Sequence, residues 1–328
     1  MKRKPYDGRT GSLPQMLGIL IVLAVLTLLF SVLSDKFLTT SNLFRILLNV
    51  STIGIMALGE GLVIIVMGMD LSVGSTFALS GIVAGLGITQ FSLGVPVSIA
   101  LGILCGAVIG ALNGFLILKA GLSAFIATFG MLSVIRGVAY AVSGGYTIPV
   151  YTEAFTDLGL ASLGPVPVPA LIFFLIVLSF KVMLDRTTFG ASLYATGGNE
   201  RASFYSGIRT TRTKYIAYIL CGALAAVAGI LSTAKMGMAS STAGLGYELD
   251  VITAVILGGV SLKGGKGSAF GIMLGTLIMG VIRNGLLILG ISAYYQTTII
   301  GCIIIMVAMM DTLRNSGGFH LPGGRKAV

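Results

Sequence analysis

A few polar residues stand in a chain that otherwise offers little chemistry. The segment Gly68-Met69-Asp70-Leu71-Ser72-Val73-Gly74-Ser75 puts an acid, two hydroxyls and two glycines inside a long apolar region. Irregular backbone of this kind is tolerated at membrane depth only where protein or a water-filled cavity satisfies its polar groups. Asp70 and Ser72 are therefore candidates for a translocation path or gate, with helix capping as the plainer alternative. Glu60, Arg136 and Arg283 are charges within apolar runs, and an intramembrane charge defaults to a functional role with a named partner. Glu60 pairing with Arg136 is one arrangement; Arg136 snorkelling, or lining a cavity with Tyr140, is the other. Asn113 and Asn284 are the further path candidates, although hydrogen bonds between helices account for them more simply.

A second set lies between Asp185 and Lys214, within ATGGNERASFYSGIRTTRTK. From Asn199 to Ser206 small, charged and aromatic residues alternate over about two turns, which predicts a short helix capped by Asn199 and stopped at Gly207. Phe204 and Tyr205 are poorly explained by a loop that only holds topology, so the segment reads as a docking surface for a cytoplasmic partner. A third segment, AGLGYELDVITAVILGGVSLKGGKGS from Ala243 to Ser268, ends like a phosphate loop. The GxxxxGK[ST] pattern fails, because Gly267 stands at the Ser/Thr position and Val260 at the first glycine. A helix start at Glu248 and Asp250, followed by a flexible basic turn, is the better reading.

The elements that must hold these residues follow from composition. Of 328 residues, 55% are hydrophobic and 10% charged, where a soluble protein carries roughly 25% charged residues. Bilayer, not water, is the expected solvent. The 47 glycines are scattered among apolar runs, as close helix packing and broken helices require. His320 is the one imidazole, which excludes a His-based triad or a multi-His zinc site within one chain. Cys105, Cys221 and Cys302 all sit in apolar runs and read as small buried hydrophobes, with no metal site and no disulfide framework. The net charge of +10 is clustered in short segments between apolar stretches, a topology signal that argues against nucleic acid as a partner.

A bilayer core about 30 Å thick needs roughly 20 apolar helical residues. Cutting at charge, Pro and Gly clusters gives about ten spans, at 15-34, 44-68, 72-90, 94-118, 122-142, 169-185, 214-233, 248-262, 268-289 and 292-310. The first exceeds a signal-peptide core and is followed by no small-residue cleavage motif, so it reads as a retained anchor. The expected fold is all-α and integral to the membrane. Residues 1-14 form a basic cytoplasmic N-terminus, 15-310 one polytopic domain with a cytoplasmic loop at 186-213, and 311-328 a cytoplasmic tail. The Lys and Arg distribution puts both termini inside, and the Ser143 to Pro169 loop, with Glu153 and Asp157 and no base, outside.

The halves also resemble each other. Met67-Gly68-Met69 recurs as Met236-Gly237-Met238, Gly102 and Gly106 as Gly271 and Gly275, and Ser123-Ala124-Phe125 as Ser292-Ala293-Tyr294, all offset by 169 positions. NGFLIL from Asn113 matches NGLLIL from Asn284 at an offset of 171. Spans 2-5 and 7-10 would then be an inverted repeat, a plan typical of transporters.

These segments together resemble the ribose-type permeases of bacterial ABC importers, within the branched-chain amino acid and monosaccharide permease superfamily. The resemblance covers nearly the whole chain and is carried by GMDLSVGS at Gly68 to Ser75, TGGNERASFYSGI at Thr196 to Ile208, and TAGLGYELDVITAVILGGVSLKGGKG at Thr242 to Gly267. Met69 and Glu60 depart from the usual family pattern. The resemblance implies a type II importer-like permease in the bacterial inner membrane, paired with a second copy or a paralogue. It also implies cytoplasmic ATPase subunits that bind the ATP and Mg, so that this chain has no cofactor and is no enzyme, and an extracytoplasmic sugar-binding protein. Contact with the ATPase would be carried by Gly198, Asn199, Glu200, Arg201, Ala202, Ser203, Phe204, Tyr205, Ser206 and Gly207. The alternative is an autonomous secondary transporter or channel using Glu60 or Asp70 as an ion site. The solute implied is a monosaccharide, ribose or a related pentose first.

Overall fold

The computed structural model describes residues 13–316. In chain order the elements are α1 Leu13–Leu33, α2 Thr40–Ile65, α3 Val73–Thr89, α4 Val95–Leu118, α5 Ala124–Ser143, β1 Ile148–Pro149, α6 Glu153–Leu160, β2 Ser162–Leu163, β3 Val166–Pro167 and α7 Val168–Arg186. Then follow α8 Thr188–Gly198, α9 Glu200–Tyr205, α10 Thr210–Met236, β4 Met238–Ala239, α11 Tyr247–Leu257, α12 Ala269–Ile288 and α13 Ala293–Ser316. Among the described residues seven helices, α1, α2, α4, α5, α7, α10 and α12, are long and apolar enough to cross a bilayer, against about ten expected spans. The chain is a multi-pass, all-α membrane protein.

The helix limits have local causes. Prolines enter the first turn of α4 and α7, where no N–H is needed. Ser123 and Ser268 cap α5 and α12 by accepting the Ile126 N–H at 3.3 Å and the Gly271 N–H at 3.0 Å. α10 ends at Gly237, whose φ of +63° lies in the left-handed region where a glycine meets no Cβ penalty.

α2 is the centre of the bundle. Every residue from Val50 to Ile65 is buried, as expected of a helix apolar on all faces. It packs on α10, α12, α11 and α7, while α10 packs on α4, α2 and α3. The outer helix α1 leans on α12 and leaves most of its surface exposed. Small residues set the closest approach. A Cβ on Gly110 would collide with the Tyr218 carbonyl, and one on Gly222 with the Gly106 carbonyl, so α4 and α10 touch through backbone.

Several expected limits move. The span expected at 248-262 is an eleven-residue helix ending at Leu257, because Gly258 and Gly259 break it and the chain then turns through positive φ at Gly264 and Gly265. The cytoplasmic loop expected at 186-213 is mostly helical, with α8, α9 and the first turn of α10 inside it. The segment expected outside at 143 to 169 folds into α6 and the short pairs β1–β4 and β2–β3, both antiparallel. α13 runs to Ser316 and so takes in the start of the expected tail. Residues 1-12 and 317-328, with most of the basic N-terminus and His320, lie outside the described residues.

Candidate functional site

Three sites gather the polar residues. The first is the break between α2 and α3. Glu60 Oε1 accepts the Asp70 N–H at 3.0 Å, and its Oε2 faces the Cys221 thiol at 3.6 Å. Asp70 Oδ1 accepts both the N–H of Ser72 at 2.8 Å and its hydroxyl at 2.6 Å. From α4, Asn113 Nδ2 donates to Asp70 Oδ2 at 3.0 Å and to Ser72 Oγ at 2.8 Å. The Tyr218 hydroxyl on α10 donates to the Met69 carbonyl at 3.4 Å. Glu60, Asp70, Ser72 and Asn113 are all buried; their mutual bonds tie α2, α3 and α4 together where the chain is irregular, and Tyr218 and Cys221 add α10. Ser72 is the N-cap of α3 but makes no side-chain cap bond, because its hydroxyl is turned to Asp70; Asp70 itself accepts the Ser72 N–H at the entry to that helix while also bonding Asn113.

Arg136 belongs elsewhere, so the Glu60–Arg136 pair is not formed. Its guanidinium donates to the carbonyls of Ser241 at 2.5 Å and Ala243 at 2.8 Å, pinning the strap between β4 and α11. Tyr140, one turn on from Arg136 on α5, is exposed, and neither residue lines the cavity described next.

The second site is a cavity of about 540 Å³ between α2, α10, α11 and α12, roofed by the 238–244 strap. Asn49, Thr233, Lys235, Thr276, Arg283 and Asn284 supply much of its polar lining. Lys235 Nζ donates to Asn49 Oδ1 at 2.7 Å. Arg283 is ion-paired to Asp250, whose side chain is 2% exposed behind it, while the Arg283 side chain is 38% exposed. Asn284 and Asn42 exchange reciprocal amide bonds of 2.9 Å, joining α12 to α2. Of the path candidates, only Asn284 lines this cavity; Asp70, Ser72, Glu60, Arg136, Tyr140 and Asn113 do not.

The third site is α9. Asn199 caps it by accepting the Ala202 N–H at 2.9 Å, and Gly207, with φ +84°, ends it. Phe204 and Tyr205 are 65% and 86% exposed, and Glu200 is paired with Lys214 at 2.5 Å. Gly198, Asn199, Glu200, Arg201, Ala202, Ser203, Phe204, Tyr205, Ser206 and Gly207 thus form one small exposed element, with Ser203 its buried anchor. The basic Gly-Gly-Lys-Gly turn packs on the end of α8 that leads into α9. Gly265 N–H donates to the Ile65 carbonyl at 2.8 Å, and the Tyr194 hydroxyl donates to the Gly267 carbonyl at 2.9 Å. A Cβ on Gly197 would strike the Ile65 carbonyl, so the end of α8, the end of α2 and this turn meet through backbone.

Comparison with known proteins decides the family. A family model described as "Branched-chain amino acid transport system / permease component" matches residues 42–308. The chain belongs to this family. It is 43% identical over 296 residues to the ribose import permease protein of Escherichia coli (strain K12), covering 89% of this chain and 92% of that protein. To the ribose import permease protein of Bacillus subtilis (strain 168) it is 39% identical over 322 residues, covering 96% and 97%. To the D-allose transport system permease protein of Escherichia coli (strain K12) it is 36% identical over 301 residues, covering 90% and 91%. No solved structure matches.

Nothing in the sequence singles out Lys235, Asn49, Asn42, Tyr218 or Cys221 for these sites, and Asp250 reads there only as a favourable helix-start acid. Their partners lie far away in sequence, 242 positions apart for Asn42 and Asn284 and 161 for Cys221 and Glu60. No local spacing signals such pairs.

Proposed function

We propose that this chain is the membrane-spanning permease subunit of an ATP-driven importer for a monosaccharide, ribose foremost, in a bacterial inner membrane. The single observation that carries the reading is near end-to-end similarity to a ribose import permease, 39% identical over 96% of this chain. The partners are a cytoplasmic ATPase that holds ATP and Mg, an extracytoplasmic sugar-binding protein and a second permease copy. The exposed Phe204 and Tyr205 on a capped helix supply a contact through which ATP binding moves the permease.

The finer architecture of this reading is ten spans with both termini inside, spans 2-5 and 7-10 forming an inverted repeat. The exchange of helix partners supports it: α2 packs on α12 as α10 packs on α4, and α3 on α4 as α11 on α12. The repeat-matched Gly102 and Gly271 make like contacts, Gly102 against the Ser80 carbonyl of α3 and Gly271 against the Gly258 carbonyl beyond α11. Two similar half-bundles give two packings of comparable energy that contacts at α9 can bias. In this scheme Glu60, Asp70, Ser72 and Asn113 act as a gate element at the α2–α3 break, and Arg136 and Tyr140 act on the strap side.

The test is reconstitution of the chain with its ATPase and binding protein in liposomes. Sugar-stimulated ATP hydrolysis and sugar accumulation are expected. Gly207→Pro, impossible at φ +84°, and Glu200→Ala, which frees Lys214, should leave hydrolysis and abolish uptake. Normal uptake by both variants would defeat the coupling role of α9, and proton-driven uptake by the chain alone would favour the secondary-transporter reading.

A further inference from the structure

We propose that the cavity between α2, α10, α11 and α12 is a cation-excluding site for uncharged polyols, with Lys235 and Arg283 setting its sign. The identity of the solute rests on the importer reading above; the sign of the field rests on the geometry alone. Among the described residues that line the cavity there are two cations and no carboxylate. Lys235 is bonded to the neutral amide of Asn49, which leaves its charge uncancelled. Asp250 offsets Arg283 only from behind: the acid is 2% exposed and does not line the cavity, whereas the guanidinium side chain is 38% exposed.

The remaining polar lining suits hydroxyl groups. Asn49 keeps its amide hydrogens beside the Lys235 bond, Asn284 keeps one amide hydrogen and one lone pair beyond its pair with Asn42, Thr276 can still accept although its hydroxyl donates to the Ile272 carbonyl at 2.7 Å, and Thr233 adds a hydroxyl, so three helices offer neutral groups of both kinds to a polyol. The volume of about 540 Å³ lies within the roughly 300–1,000 Å³ of small-molecule sites. A sugar permease opens a wet path through a bilayer that holds a proton and cation gradient. Fixed positive charge in a low-dielectric wall raises the barrier for cations and leaves a neutral solute unaffected.

The experiment reads the field with a thiol. Ser232 lines the cavity one helical turn from Lys235, on the same face of α10. Ser232→Cys is made in a chain carrying Cys302→Ser, and the same chain without Ser232→Cys gives the background from half-buried Cys105 and buried Cys221. Purified protein is labelled with an anionic and a cationic methanethiosulfonate of similar size, and the rate ratio is divided by that of a free thiol.

The anionic reagent should be favoured roughly tenfold or more, Lys235→Gln should lower the ratio several-fold, and Lys235→Arg should keep it. A ratio near one, a ratio indifferent to Lys235→Gln while Lys235→Arg folds, or no labelling above background would overturn the proposal. Uptake in liposomes separates the two readings. A biased ratio without ATP-driven sugar uptake removes the importer and keeps the positive cavity; normal uptake with a ratio of one removes only the cavity inference.

Discussion

Removing Arg283 should destabilise the bundle through the acid it leaves behind. The Asp250 side chain is 2% exposed on α11, and its ion-pair partner is Arg283, on α12. Breaking a buried ion pair by deleting one member costs about 3–5 kcal/mol, whereas replacing both members with well-packed apolar residues is often close to neutral. Because the Arg283 side chain is 38% exposed, water already shares its charge, and Arg283→Met should fall at the lower end, about 3 kcal/mol. Arg283→Met with Asp250→Leu should recover most of that loss and leave a deficit of about 1 kcal/mol. A change of 1 kcal/mol moves the midpoint of a domain this large by about 2 °C, so the single variant should melt about 6 °C lower and the double variant about 2 °C lower. The chain has no Trp, but in a Cys302→Ser background, which removes the exposed thiol, the fully buried Cys221 thiol becomes available on unfolding, so a fluorogenic thiol dye can follow melting of the detergent-solubilised protein. Melting is preferable to uptake as the readout because Arg283 also lines the cavity. A double variant that melts as low as Arg283→Met would refute the unpaired-acid explanation.

Three further outcomes follow from the same contacts. Glu60→Gln keeps an acceptor for the Asp70 N–H and should change the melting midpoint little, whereas Glu60→Leu leaves that buried N–H unpaired and should cost about 1–3 kcal/mol; equal melting of the two would count against the bond. Asn284→Leu alone strands one side of the amide pair and should lower stability by about 1–3 kcal/mol, Asn42→Leu should cost more because it also releases the Phe37 carbonyl, and the double Leu variant should lose less than the sum of the two, which a double-mutant melting cycle checks. Gly197→Ala drives a methyl into the Ile65 carbonyl and the Gly265 backbone; it should cost about 1–3 kcal/mol and also reduce ATP-coupled uptake, because that junction supports α9.

Hydropathy made the membrane architecture legible because lipid demands long apolar runs, and α1, α4 and α12 lie close to the expected intervals. The short helix α9 was also legible, since an Asn cap and a left-handed Gly are local devices that leave a local signature. The span at 248-262 was misjudged for the opposite reason. Gly258-Gly259-Val260 is as apolar as a helix interior, so composition cannot separate a continuous helix from one broken at Leu257.

The sequence names polar residues but not their partners: Glu60 and Arg136 are a candidate pair by position, yet Arg136 bonds the Ser241 and Ala243 carbonyls instead. Asp70 reads as a lone intramembrane acid until Asn113, 43 positions away, and the Glu60 carboxyl fold onto the same turn. Arg283 reads as a lone cation until α11 brings Asp250 to it. Both cases follow one rule: a polar group in a bilayer is matched by whichever helix lies beside it, and helix neighbours are set by packing of small residues rather than by order in the chain. The cavity extends this rule to its limit. Its positive sign arises because one acid, Asp250, is drawn behind its partner and out of the lining, while Lys235 is matched by an amide instead of a carboxylate. The whole chain's excess of bases gives no guide to that sign, since those bases cluster in the segments between spans. What decides it is which side of one ion pair faces the cavity and which neutral amide meets Lys235, and both are properties of how the helices pack, α11 on α12 and α10 on α2.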